Sequence, residues 1–169
     1  MELAEKLEAV LVKYLKELDP SPYPDYFDEA VQIKPGENDE DIDNQYLRCR
    51  AASQADEETP LDTGNFWWSV EVELRTPSSS QTEAEEASED ISESTSQLTK
   101  HKSLAAILEA AILVDDLPAK LNAASVALGV GYELTVFAVQ NRQPGRDQSD
   151  EVYSSGWGFR VYCCSRNVA

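Results

Sequence analysis

The sequence contains very little of what enzyme active sites and metal centres are usually built from. Its 169 residues include a single histidine, His101, and three cysteines, Cys49, Cys163 and Cys164. Zinc sites draw on several Cys and His ligands at fixed spacing, and a serine or cysteine nucleophile needs a base, most often histidine. There is no Cys-x-x-Cys pair, phosphate-binding glycine loop or His-Glu-x-x-His motif. The sequence therefore predicts no catalytic residue, no metal ligand and no cofactor.

The neighbours of the two rare residue types suggest ordinary structural roles. His101 stands between Lys100 and Lys102 in a stretch with helical spacing, which predicts a solvated position on a helix. The odd number of cysteines predicts reduced thiols in a cytosolic setting. Cys163 and Cys164 are adjacent, and we expect their side chains to point to opposite faces of a strand instead of forming a strained vicinal disulfide.

Basic residues are scarce as well. Fourteen Lys and Arg stand against 32 Asp and Glu, which gives a formal net charge of −18. Binding to nucleic acid phosphates or to an anionic membrane needs clustered Lys and Arg, so the composition argues against both partners. The acidity indicates either plain solubility or an acidic surface that repels DNA or meets a basic partner.

Long hydrophobic runs are also missing. The most apolar stretch, Leu104 to Val114, is interrupted by Glu109 and is shorter than the roughly 20 residues of a membrane span. The N-terminal MELAEKLEAV lacks the basic region and apolar run of a secretory signal. The chain length predicts one domain over residues 1–169.

The strongest positive signal is an alternating strand at Asn65 to Arg75. Trp68, Val70, Val72 and Leu74 alternate with polar residues, as in a strand with one buried face. A second strand is predicted at 45–53 as its antiparallel neighbour, with Arg48 and Arg50 opposite Glu71 and Glu73. Charge on a solvent-facing strand explains these acids better than catalysis or metal binding. Trp67, on the polar side, is predicted to be an edge-of-sheet or interface residue.

Two further strands are predicted near the C-terminus. Residues 132–140 are almost continuously hydrophobic, which predicts a central strand. Residues 141–147 contain Pro-Gly and predict a turn, and residues 157–164 predict the antiparallel partner of 132–140. In that last strand Trp157, Phe159, Val161 and Cys163 share one face, and Arg160 and Tyr162 share the other.

The helices are predicted from apolar residues at three- and four-residue spacing. They cover residues 2–18, about 82 to beyond 110, and 119–128. An acidic loop is predicted at 25–44, and the Ser/Glu-rich segment 76–100 is either weakly helical or partly disordered. The predicted fold is α+β: a mostly antiparallel sheet of about four strands, with an N-terminal helix and a long crossing helix packed on one face.

This order of elements resembles the tail terminator and tail-completion proteins of long-tailed bacteriophages. The resemblance rests on the helix Leu3 to Leu18, the strand Asn65 to Arg75, the crossing helix that contains Leu104 to Leu108, and the closing hairpin of Tyr132 to Gln140 with Trp157 to Cys164. The segments LAAILEAAILVDDLPAKLNAA and WGFRVYCC are also similar to prophage tail-region sequences.

The resemblance implies a non-enzymatic virion protein of the tail or neck, assembled in the host cytoplasm. Such a protein forms a homo-oligomer, expected to be a hexameric ring, that caps the tail tube and joins it to the head connector proteins. DNA would pass through the ring without specific binding, and no membrane is involved. The site residues then lie at the ring lumen or at a subunit interface: Trp67, Glu71, Glu73, Arg75, Arg48 and Arg50.

Two other functions remain open on the sequence alone. One is a different head-tail connector or adaptor with a similar fold. The other is a monomeric acidic binding protein, either a DNA mimic or an immunity-type protein, which predicts a monomer in a stable complex with a basic partner.

Overall fold

The computed structural model describes residues 3–23, 33–35, 46–53, 65–77, 90–131, 134–148 and 152–165. Within these residues the helices are α1 (Leu3–Lys16), α2 (Asp90–Ile112) and α3 (Leu117–Ala127), and the strands are β1 (Ile33–Pro35), β2 (Tyr46–Ser53), β3 (Asn65–Pro77), β4 (Leu134–Gln148) and β5 (Val152–Ser165). None of these helices is long and apolar enough to cross a membrane.

The strands form one sheet in the order β1-β2-β3-β5-β4. β2, β3, β5 and β4 pair antiparallel, which confirms the predicted α+β fold and the predicted antiparallel neighbours. β1 is a short fifth strand that pairs parallel to β2. It lies in the stretch predicted as an acidic loop, where three residues are too few to produce a readable alternation.

The hydrophobic core lies between one face of the sheet and the three helices. The alternating residues of β3 and β5 are buried there as predicted, among them Val72 and Val161. The helices contribute the other half of the core: Leu7, Val10, Leu11, Leu15, Leu104, Leu108, Ile112, Leu117 and Leu121. Burial of each such side chain contributes about 1.5–3 kcal/mol to the stability of the fold relative to an exposed position. This apolar layer therefore holds the sheet and the helices in one arrangement.

The structure corrects two predictions about β4. The strand lies at the edge of the sheet and not at its centre, and Phe137 on it is 55% exposed. The predicted turn at 141–147 is also wrong, because β4 continues to Gln148. The pairing of β4 with β5 continues through this stretch, with two register shifts along the strand, and Asn141 adopts a positive φ. Pro144 is compatible with an edge strand, since an edge can do without one ladder donor.

The helix bounds differ modestly from those predicted. α2 begins at Asp90, so residues 90–100 of the segment predicted as weakly helical or partly disordered are helical, and residues 78–89 lie outside the described residues. Its apolar second half packs on the sheet as predicted. α3 begins at Leu117 because Pro118 is tolerated in a first helical turn. Gly129, with φ 79°, follows the end of α3 as predicted.

Candidate functional site

The face of the sheet opposite the helices carries all six residues predicted as an interface or lumen site. Strand alternation and register place Arg48 and Arg50 beside Glu73 and Glu71 on this face. The same face carries these further residues: Trp67, Arg75, Gly156, Gly158, Arg160 and Tyr162. We call it the open face, because no described helix packs on it. All six residues thus share one face, but Trp67 lies at the opposite end of β3 from Arg75, and their role as interface or lumen residues stays a prediction.

The charged residues of the open face form a cross-strand network. Arg50 Nη2 lies 2.8 Å from Glu71 Oε2 and 3.8 Å from Glu73 Oε2. Arg75 Nη2 lies 3.1 Å from Glu73 Oε1, to which the Tyr46 hydroxyl donates a hydrogen bond of 2.9 Å. The predicted pairing of arginines on β2 with glutamates on β3 is confirmed. Pairs of this kind contribute about 0.2–1 kcal/mol each, so they fix side-chain positions more than they stabilise the fold.

Tyr46 closes one end of this network. Its ring lies 4.6 Å from the guanidinium carbon of Arg48 and 5.2 Å from that of Arg75. Burial raises the pKa of the Tyr46 hydroxyl, as does its hydrogen bond to Glu73, while the two arginines oppose the shift. Tyr46 and Arg48 are both buried, so this end of the open face is packed.

The opposite end of the open face is an aromatic cluster. The Trp67 and Tyr162 ring centroids are 5.1 Å apart, and those of Phe137 and Tyr162 are 5.9 Å apart. The Arg160 guanidinium lies 4.7 Å from the Trp67 ring. Trp67 is half-buried on β3, which has a strand on either side, so the sheet-edge alternative for Trp67 is wrong and the interface alternative stays a prediction. The alternation of β5 in the sequence was enough to predict that Arg160 and Tyr162 share a face. The β4 bulge at Phe137, which brings its ring to Tyr162, has no signal in the sequence.

Glycines separate the two ends of the open face. Gly145 and Gly156 pair with each other, and Gly158 pairs with Glu71. Together with Ser69 and Arg160 they line a shallow depression of about 500 Å³. A Cβ added at Gly158 would meet nothing within 4 Å. Bare backbone therefore forms the floor of the open face, and the surface of another protein can approach it closely.

The open face is not acidic, although the chain is. Among its described side chains, Arg48, Arg50, Arg75 and Arg160 stand beside Glu71 and Glu73. Each glutamate pairs with an arginine, and Glu73 is only 14% exposed against 49% for Glu71. This charge balance suits a protein interface better than the negative lumen that was the other hypothesis for these residues.

His101 is buried, and the prediction of a solvated position is wrong. Thr76 Oγ1 lies 2.8 Å from His101 Nδ1, and Ser155 Oγ lies 2.8 Å from His101 Nε2. The Tyr153 ring packs against the imidazole with centroids 5.8 Å apart. The hydroxyls can complement either neutral tautomer of the ring, since each can donate or accept. Three elements, α2, β3 and β5, thus meet at one satisfied polar cluster.

The His101 cluster contains the residue types of a serine nucleophile and its base, but its geometry is that of a core. Ser155 and Thr76 are 4% and 5% exposed, so a substrate has no route to either hydroxyl. Cys49 is also buried; burial, and then the nearby Glu8 carboxylate, raise the pKa of its thiol, which disfavours the reactive thiolate. Across the described side chains, no group of three His, Cys, Asp or Glu could hold a metal ion.

The open face is therefore the site with the composition of a contact surface. It combines aromatic rings, arginines and exposed backbone, which are the groups that protein interfaces favour. The His101 cluster and the thiol of Cys49 are buried, so neither belongs to a surface that another molecule could contact. Comparison with protein-family models and with curated proteins found no significant match to the chain.

Proposed function

We propose that the chain is a non-enzymatic subunit of an oligomeric ring of the tail terminator type. The ring would cap the tail tube of a long-tailed bacteriophage and join it to the head connector. The observation that supports this most directly is the one-sided sheet: three helices cover one face, while the open face carries aromatic, arginine and glycine surface. A subunit that must contact its neighbours needs such a surface, and a monomer does not.

The face is a better candidate for the subunit contact than the strand edges. β1 is only three residues long and ends in Pro35. β4 is interrupted by two register shifts and contains Pro144. Short strands, bulges and edge prolines all discourage strand pairing between molecules. A subunit that packs its open face on a neighbour keeps both edges as they are.

The charge distribution is compatible with a ring around DNA. The net charge is −18, yet arginines balance the glutamates of the open face, so the excess acid lies elsewhere in the chain. An acidic inner surface would let a polyanion pass without sticking, because no counterions are released on contact. We therefore expect no specific DNA binding and no membrane contact from this subunit.

Gly158→Arg tests this proposal. The substitution places a long cationic side chain on the open face without an internal clash, since nothing lies within 4 Å of the added Cβ. We expect the wild-type protein to form rings, alone or on added tail tubes, in light scattering and negative-stain images. We expect G158R to stay monomeric with an unchanged circular dichroism spectrum.

The matched control is Ala106→Arg, which adds the same side chain at an exposed position of α2. It should leave ring formation intact. A wild-type monomer that ignores tail tubes would overturn the proposed function. If G158R forms rings as well as the wild type does, the proposed function stands, but the open face is not the contact between subunits.

A further inference from the structure

The outer edge of β4 is covered by a side chain that imitates a neighbouring strand. Asn122 Nδ2 donates to the Val136 carbonyl at 2.8 Å, and the Val136 N–H donates to Asn122 Oδ1 at 2.8 Å. In an antiparallel ladder, a residue exchanges the same two bonds with the residue opposite it. The side chain of Asn122, held on α3, thus occupies the hydrogen-bonding position of a sixth strand.

The backbone groups of Leu134, two residues before Val136 on the same edge, also have hydrogen-bond partners. Ser125 Oγ donates to the Leu134 carbonyl at 3.0 Å, and the Leu134 N–H donates to the Val130 carbonyl at 2.8 Å. Residues two apart in a strand direct their N–H and C=O groups to the same side. All four backbone groups of Leu134 and Val136 on the side away from β5 therefore have partners in α3 or in the turn that follows it.

We infer that Asn122 is an edge guard that prevents a second copy of the chain from adding a strand at Leu134–Val136. Without it, the Val136 N–H and carbonyl lose their partner and α3 loses two of the bonds that hold it over this edge, next to Phe137, which is 55% exposed. An uncovered edge flanked by apolar surface is a template for strand addition. Strand addition depends on backbone bonds, which any copy of the chain can supply. This contact is made through the strand edge and does not depend on the proposed function.

Asn122→Ala is the direct test, with Leu121→Ala as the matched control. Leu121 is buried on the same helix, so L121A weakens the packing of α3 while both Asn122 bonds to the edge of β4 remain. Sedimentation velocity over a range of protein concentrations would compare both variants with the wild-type protein. Backbone amide exchange would report on the Val136 N–H.

N122A should sediment as larger species than the wild type, increasingly so at higher concentration, and L121A should not. In dilute N122A the Val136 amide should exchange roughly tenfold faster, since it has lost its acceptor, and this exchange should slow again as copies associate. Asn122→Ser, which keeps one hydrogen-bonding group, replaces N122A if that variant does not fold and should associate to a smaller extent. A folded N122A or N122S with wild-type sedimentation at every concentration would overturn the inference, as would equal association of L121A.

Discussion

His101 is the clearest case of a residue whose role depends on tertiary contacts. Its sequence neighbours, Lys100 and Lys102, are exposed, and they make an exposed histidine the simplest interpretation of the sequence. Its partners, Thr76 and Ser155, are 25 and 54 residues away in the chain. Hydroxyl residues are too common for such a meeting to be visible without the fold.

Replacing His101 by Leu should destabilise the protein. The Thr76 and Ser155 hydroxyls would lose their partner in a buried place, and each unsatisfied group costs about 1–3 kcal/mol. We expect a fall of roughly 2–4 kcal/mol in the free energy of unfolding measured by urea denaturation. Lys102→Ala, at an exposed neighbouring position, should change it by less than about 0.5 kcal/mol. Equal stability of H101L and wild type would show that the cluster contributes no net stability.

Other residues were predictable because a strand imposes a strict geometry. The alternation in β3 is enough to separate Trp68, Val70, Val72 and Leu74 from Glu71 and Glu73, and an antiparallel partner then places Arg48 and Arg50 opposite these acids. Asn122 was not predictable, because its two bonds depend on how α3 is placed against β4.

At the scale of elements, two helix ends are closed by side chains from elsewhere. The Tyr23 hydroxyl donates to the Leu15 carbonyl at 2.7 Å near the end of α1. The Tyr14 hydroxyl donates to the Ala111 carbonyl at 2.7 Å near the end of α2. Arg142 Nη1 donates to the Ile112 and Val114 carbonyls at 3.0 and 2.6 Å. Terminal carbonyls have no partner within their own helix, so these contacts satisfy them and link the helices to the rest of the fold.

The tyrosine contacts predict a loss of stability at high pH. Burial is the main cause that raises the pKa of Tyr23 and of Tyr14; the nearby Cys49 and Asp116 add to it. The folded protein therefore holds both phenolic protons more tightly than the unfolded chain, where tyrosine ionises near about pH 10. Their contribution is complete below that pH and is lost as the pH rises toward the folded pKa values.

Urea denaturation between about pH 8 and pH 11.5 would measure this dependence, with Tyr23→Phe as the comparison. We expect Y23F to be less stable than wild type at pH 8, since the Leu15 carbonyl loses its donor, but to lose less stability on the way to pH 11.5. A Y23F curve parallel to that of the wild type would contradict the assignment to Tyr23.

Element bounds were predictable where a pattern was long. α1, β3 and the apolar half of α2 each extend over several turns or alternations. The position of β4 in the sheet was not predictable, because a continuous hydrophobic run is typical of a central strand. In the structure β4 is an edge strand, and α3 covers its edge through Asn122 and Ser125. The Pro-Gly pair inside β4 is locally typical of a turn, and only the pairing with β5 shows that the strand continues.

At the scale of the whole molecule, charge opposes compaction and local pairing supports it. The excess of 18 negative charges repels itself, while pairs such as Arg50 with Glu71 attract. Exposed pairs contribute little, so the repulsion should dominate. The fold class was predictable because it follows from the number and type of elements, but the strand order required the structure.

Salt should therefore stabilise the protein. We expect the free energy of unfolding in urea to rise between about 0.01 and 0.1 M NaCl, over which the screening length falls from about 30 to 10 Å. Urea is uncharged, so it does not screen the effect under test. A fall in stability with salt would show that the arginine–glutamate pairs of the open face outweigh the net charge. The concentration of protein must be kept low enough that association does not contribute.

The His101 cluster also affects how the chain tolerates insertions. Thr76, next to the last residue of β3, is tied through His101 to α2, so β3 and α2, the elements on either side of residues 78–89, are held to each other by a contact outside those residues. When two elements are held by their own contacts, lengthening the chain between them costs mainly loop closure, about 0.6 kcal/mol for each doubling. We therefore expect an epitope tag or a reporter domain inserted within residues 78–89 to leave the pairing of β3 with β5 intact.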